Sequence, residues 1–168
     1  MEQFTSILRA ATSALTLEYF LLPIHGSDPV YRERVYCYEL YHQMRQIWPP
    51  DSPYRLNGEV DKIAHPYFQD GTAPKPDFLV HQPGTGFNHA VVEVKSCQAG
   101  VAGITKDFGT LNRFLDDFAY ERAIYLLYGE QSEATLGIAT NIATKIPHTE
   151  RIEIWVHTAA GIPAVRAR

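Results

Sequence analysis

Apolar positions recur along this chain with two periods, and the period decides what each stretch builds. From about Glu2 to Leu17, the residues Phe4, Ile7, Leu8, Ala11 and Leu15 fall three or four apart, the spacing of one helical face. A second helix is predicted from about Val30 to Trp48, with Tyr36, Leu40, Met44 and Ile47 as its stripe. Pro49 and Pro50 stop it, because proline lacks the amide hydrogen that the next turn needs. The most regular helix holds Ile104, Phe108, Leu111, Leu115 and Phe118, at offsets of four, three, four and three. A small-residue helix is expected over Glu133–Thr144.

Between these helices lie shorter apolar stretches bounded by turn residues. "YRLNGEVDKIA" (Tyr54–Ala64), "PDFLVH" (Pro76–His81) and "HAVVEVKS" (His89–Ser96) read as three successive strands, with Gln82–Gly86 as a hairpin loop. "RAIYLLYG" (Arg122–Gly129) is apolar without interruption, as a central strand covered on both faces requires. "RIEIWVHT" (Arg151–Thr158) alternates Ile152, Ile154 and Val156 with Glu153, Trp155 and His157, so one buried face is expected there. Helix, three strands, helix, strand is the order of an α/β protein: a three-layer sandwich on a mixed sheet, antiparallel at first and parallel across the long helical crossover.

Composition narrows the function classes. The chain has 168 residues, 45% of them hydrophobic, and a net charge of −4, so DNA coating by bulk positive charge is excluded. The two cysteines, Cys37 and Cys97, give neither a CxxC pair nor a disulfide framework, which points to a reducing compartment, by default the cytoplasm. "YFLLPI" (Tyr19–Ile24) is too short to span a membrane and is broken by Pro23, and no cationic segment precedes an apolar stretch at the N-terminus. No zinc-peptidase, serine-hydrolase or P-loop motif occurs.

The chemistry concentrates in "KPDFLVHQPGTGFNHAVVEVKS" (Lys75–Ser96), where buried strands carry charge. If the hairpin is symmetric about Thr85, residues whose numbers sum to 170 face each other, and Asp77 stands opposite Glu93. Directly opposed side chains have Cβ atoms roughly 5 Å apart. Period-2 alternation keeps Lys95 on the face of Glu93 and turns Val92 and Val94 away. Two carboxylates so placed repel, and a divalent cation between them resolves the conflict. Oxygen ligation by Asp77, Glu93 and the Val94 backbone carbonyl suits Mg²⁺ or Mn²⁺. Lys95 would then orient a nucleophile or stabilise charge on a scissile phosphate.

Pro76-Asp77, fifteen intervening residues, then Glu93-Val94-Lys95 resembles the signature of the PD-(D/E)XK nuclease superfamily, and the order of elements is similar to its αβββαβ core over about Val30–Gly129. The resemblance implies one restriction endonuclease-like domain over residues 1–168, with a helical extension at 1–29 and a core at about 30–158. It also implies a Mg²⁺-dependent endonuclease acting on DNA, with Lys95, Asp77 and Glu93 catalytic. In that superfamily an upstream helix often supplies a further acid, matched here by Glu39. Gln98 resembles a polar residue that some members place near the metal.

Other residues are less specific. Lys106 and Arg113, seven apart on the last long helix, share a face away from Phe108 and Phe118 and suit a phosphate backbone. Glu59 and Asp61 alternate to one face of their strand, making Glu59 an extra or substitute ligand. The aromatic group Tyr31, Tyr36, Tyr38, Tyr41 and Trp48 exceeds one buried stripe and suits a homodimer interface or a base-stacking platform. Cutting both strands of a duplex also favours two copies of one site. The alternative, for a small acidic chain without an obvious basic groove, is an inactive nuclease-fold protein serving as an interaction or scaffold module.

Overall fold

A computed structural model describes residues 2–60, 74–146 and 148–168. In chain order the elements are α1 (Glu2–Ala14), α2 (Leu17–Phe20), β1 (Leu22–Ile24), β2 (Ser27–Val30), α3 (Glu33–Gln46), β3 (Arg55–Gly58), β4 (Phe78–His81), β5 (Asn88–Ser96), α4 (Val101–Asp117), β6 (Arg122–Tyr128), α5 (Ser132–Ala143), a 3₁₀ turn (Thr149–Arg151), β7 (Ile152–His157) and β8 (Val165–Arg166). Strands β3 to β8 form one six-stranded sheet in sequence order. The β3–β4–β5 meander is antiparallel, β5, β6 and β7 run parallel, and β8 returns antiparallel on the far edge.

Alternation along the strands divides the interior in two. Phe78, Val80, Val92, Val94, Ile124, Leu126 and Tyr128 pack with α1 and α3. Leu79, Val91, Ala123, Tyr125, Leu127, Ile154 and Val156 pack with α4 and α5. Each face of the sheet is thus covered by a helical layer, which makes the molecule a three-layer α/β sandwich. The expected stripes of α1 and α4 are buried, from Phe4 to Leu15 and from Ile104 to Phe118. Burying such a side chain is worth about 1.5–3 kcal/mol, so these faces rather than helix propensity hold the helices.

Several stretches differ from expectation. The α3 stripe ends at Met44, and Ile47, beyond the last helical turn, is 46% exposed. Residues 22–30 form a two-stranded hairpin turning at Gly26, whose φ of +73° is the left-handed region that glycine enters without strain. Helix α1 belongs to the same apolar cluster as α3. Its Thr12 hydroxyl accepts from the Ala164 amide at 2.9 Å, tying the two chain ends together. Of the stretch expected as a strand over Tyr54–Ala64, only Arg55–Gly58 is one; Glu59 has a positive φ of 49°, and Asp61 to Ala64 lie outside the described residues.

Strand β7 is buried on both faces instead of one. Its polar residues are tolerated because each finds a partner, as burial demands. Glu153 Oε1 and Oε2 accept from Arg122 Nε at 2.7 Å and Nη2 at 2.9 Å, and Oε2 also accepts from Trp155 Nε1 at 3.0 Å. His157 Nδ1 lies 2.8 Å from the Tyr36 hydroxyl. Tyr36 in turn stacks on Tyr128 with ring centres 3.9 Å apart.

Candidate metal and phosphate site

The β4–β5 hairpin has the register expected from its sequence where it matters. Phe78 pairs with Val92, Leu79 with Val91 and Val80 with Ala90. A one-residue shift follows at His81, which pairs with Asn88, so the irregularity is confined to the loop end. Asp77 sits just before β4 and Glu93 in the middle of β5. The Val94 amide donates to Asp77 Oδ2 at 2.7 Å, drawing that carboxylate over the neighbouring strand. Asp77, Glu93 and Lys95 line one cleft, on the sheet face that carries α4. Val92 and Val94 are fully buried on the other face.

The two carboxyls are close enough to hydrogen-bond each other, and both resist ionisation. Burial raises Asp77 to about 6 despite the Val94 amide and the Lys95 ammonium, which act the other way. Burial, reinforced by the charges of Asp77 and Asp107, holds Glu93 well above the carboxylate range. Glu93 is only 8% exposed. Two buried acids in contact repel once both are ionised, and each ionised carboxylate there needs a positive partner.

Lys95 does not cancel that excess alone, because it is itself held by two other acids. Its ammonium lies 3.1 Å from Glu33 Oε2 and 3.0 Å from Asp107 Oδ2. Burial works against the charge on Lys95, but Asp107 and Glu33 more than offset it and push the ammonium above its usual range. Glu33, in the first turn of α3, also accepts from the Ser96 amide at 3.4 Å. Asp107 is buried on the inner face of α4, and burial raises its carboxyl although Lys95 opposes this. Four carboxylates and one ammonium therefore surround the end of β5.

The cleft has a volume of about 610 Å³. Its α4 wall presents Lys106, Thr110 and Arg113, at the spacing of a single helical stripe, so both cations expected from the sequence face the acids. Arg113 also lies 3.6 Å from Asp117. Lys75 completes the rim and pairs with Glu59 Oε2 at 2.8 Å.

Other candidates are placed elsewhere. Glu39 lies about 240° round α3 from Glu33, at ~100° per residue, and accepts from Gln43 Nε2 at 2.6 Å. The acid that α3 delivers to the cleft is Glu33. Glu59 is engaged by Lys75 and, at 3.4 Å, by Arg34, and the Lys75 hydrogen bond lowers its carboxyl. Gln98 is exposed in the turn before α4. Of the aromatic group, Tyr36 is core, Tyr31, Tyr41 and Trp48 pack against the core, and Tyr38 is 60% exposed. Asp107 was readable from the sequence as an acid inside the apolar stripe of α4, three residues after Ile104 and four before Leu111.

Among the described residues, no group of three or more His, Cys, Asp or Glu side chains gathers closely enough to hold an ion by itself. The donor set at Asp77 and Glu93 is hard oxygen. The nearby Cys37 thiol is kept protonated by burial and by the surrounding carboxylates. That chemistry fits Mg²⁺ or Mn²⁺, which keep several waters and take one or two protein carboxylates, and does not fit a four-ligand zinc cage. No helix among the described residues is long and apolar enough to cross a membrane. Comparison with protein-family models, with curated proteins and with solved structures finds no match to this chain.

Proposed function

We propose that this chain is a Mg²⁺-dependent nuclease that hydrolyses phosphodiester bonds in DNA, resembling the PD-(D/E)XK endonucleases. The observation that carries the reading is the convergence of Asp77, Glu93 and Lys95 in one cleft whose opposite wall is cationic. Asp77 and Glu93, with the Val94 carbonyl, would hold the cation. When bound, it lowers the pKa of an attacking water and neutralises charge on the phosphate. Lys95, fixed by Glu33 and Asp107, presents a permanent positive charge to the phosphate without having to find its position during the reaction. Lys106 and Arg113 meet the flanking phosphates, which sets register on the strand and carries no base preference.

The test is cleavage of single-stranded, duplex and branched DNA in Mg²⁺, beside Glu93→Ala and Lys95→Ala. Loss of cleavage in both variants supports the assignment, and cleavage that persists equally in both defeats it. The second reading, an inactive nuclease-fold protein acting as an interaction module, is favoured by one observation: Lys95 is already neutralised by two acids. In that case Mg²⁺ or Mn²⁺ leaves the melting temperature of the chain unchanged.

A further inference from the structure

A second concavity adjoins the acid cleft and shares Asp77 with it. It has a volume of about 490 Å³ and opens between α3 and the sheet edge at β3. Its α3 wall consists of Cys37, Tyr38 and Tyr41, and its β side of Gly58, Glu59 and Phe78. Phe78 is buried beneath, with its ring within 14° of parallel to that of Tyr41 at 6.4 Å. Tyr38 stands at the mouth, 60% exposed, with its ring free to meet a ligand. The pocket is thus aromatic and open on the α3 side of the sheet, and Asp77 is the residue it shares with the acid cleft.

Its polar equipment comes from backbone. The Glu59 amide donates to the Asp77 carbonyl at 3.0 Å. Peptide groups in an antiparallel ladder alternate in direction, so those of Leu56 and Gly58 point away from β4, toward the open edge. The Leu56 carbonyl accepts the Tyr41 hydroxyl at 3.3 Å. The Gly58 amide and carbonyl bond to nothing among the described residues. A Cβ at Gly58 would lie 3.7 Å from both the Tyr41 ring and the Asp77 carbonyl, so the missing side chain is what keeps the floor of the pocket clear.

We infer that this pocket receives an unpaired nucleobase of the strand whose phosphate occupies the acid cleft, stacked against Tyr38 and Tyr41 with its polar edge on the Gly58 peptide. The inference rests on the nuclease reading and names its substrate class: single-stranded or locally unpaired nucleic acid rather than an intact duplex, whose bases are stacked out of reach. Aromatic faces accept every base, and the Gly58 donor and acceptor can pair with any base edge, so the pocket confers a requirement for an unpaired base without choosing among bases.

The experiment measures binding of a fluorescein-labelled ten-nucleotide oligothymidylate by anisotropy, with Ca²⁺ replacing Mg²⁺. A ten-residue abasic strand with the same phosphates and a ten-base-pair duplex serve as comparators. Intact single strand is expected to bind about tenfold or more tightly than either. Tyr38→Ala removes a stacking face, and Gly58→Leu fills the floor; each should bring the intact-to-abasic ratio close to one. Gly58→Ala, whose added carbon makes only ordinary contacts, should give an intermediate ratio and guards against a folding defect in the leucine variant. A ratio near one in the wild type, a ratio unmoved by both substitutions, or no binding at all overturns the inference. Cleavage in Mg²⁺ with a ratio near one would remove the base pocket and leave the nuclease reading intact. A high ratio without any cleavage would do the reverse.

Discussion

Strands β5 and β7 flank the same central strand, and each buries one glutamate to nearly the same extent, Glu93 at 8% and Glu153 at 7% exposed. Their environments drive them in opposite directions. Burial raises Glu153 too, but the bidentate Arg122 and the Trp155 indole overcome it, and its carboxyl is held below the usual range. Glu93 meets another acid, and its carboxyl is driven up. Depth of burial therefore does not decide which way a carboxyl is shifted; completeness of the partner set does. The Arg122–Glu153 pair is closed, with further bonds from Arg122 to Thr5 at 3.1 Å and its guanidinium over the Phe4 ring at 5.9 Å. The Asp77–Glu93 pair is open toward a cleft, and among the described residues its neighbouring cation, Lys95, is held by Glu33 and Asp107.

The sharpest way to break this contrast is to open the closed pair. Arg122→Ala leaves Glu153 buried and unpaired, and should cost about 3–5 kcal/mol in chemical denaturation. A cost below 1 kcal/mol would show that Glu153 is better solvated than its burial implies. Beside the open pair, Lys95→Ala should lower the single-turnover cleavage rate by about 10²–10³-fold if the proposed nuclease reading holds, since it removes the fixed charge that would face the phosphate. Its effect on stability should be smaller than that of Arg122→Ala, because Glu33 can turn toward solvent and Asp107, whose carboxyl burial already raises, can take up a proton.

The two pairs should also respond to pH with opposite sign. Asp77 titrates near 6 in the folded chain and near 4 when unfolded, so the folded form binds the extra proton between those values. Stability from this group is complete below pH ~4 and is lost as pH rises through about 6, on the order of 2–3 kcal/mol. Glu153 behaves oppositely: its contribution is present above the ordinary carboxylate range and is lost as pH falls through its lowered value. Urea midpoints of Glu93→Gln should therefore exceed those of the wild type at pH 8 without divalent cations and match them at pH 4. Glu153→Gln should fall below the wild type at pH 8.

Adding the proposed divalent cation tests the same asymmetry from the other side. At ten times its Kd, Mg²⁺ or Mn²⁺ should stabilise the chain by about 1.4 kcal/mol, read as a rise in melting temperature, and Asp77→Asn should abolish the rise. An unchanged melting temperature in both ions would leave Asp77 and Glu93 as a proton-sharing pair with no metal role. The smallest effect is expected at Glu39→Gln, within about 0.5 kcal/mol in stability and with cleavage unaltered, whereas Glu33→Gln should weaken the hold on Lys95. Equal effects at 33 and 39 would erase the distinction between the two acids of α3.

Much of this arrangement was legible in the order of residues, because it depends on short-range periodicity. Turn residues at 82–86 set the hairpin, the hairpin set the pairing of Phe78 with Val92, and alternation then carried Asp77, Glu93 and Lys95 to one face. The stripe of α4 was equally plain, although the acid lodged within it, Asp107, was not singled out among the candidates. Periodicity is a property of neighbours, and neighbours are what a sequence contains.

What tertiary structure alone decided is which distant groups meet. From sequence, Glu39 is the expected acid of α3, whereas Glu33 is the one that reaches the cleft, because the outcome depends on how the helix crosses the sheet and where its first turn lands relative to Lys95. The same holds for Glu153. An alternating strand predicts that its glutamate faces solvent, and only the return of Arg122 on the adjacent parallel strand, with α1 closing over both, turns that position into interior. Opposite charges attract over distances set by packing rather than by spacing along the chain, so helix crossing and strand order determined which carboxylates were paired with cations and which two acids were left facing each other.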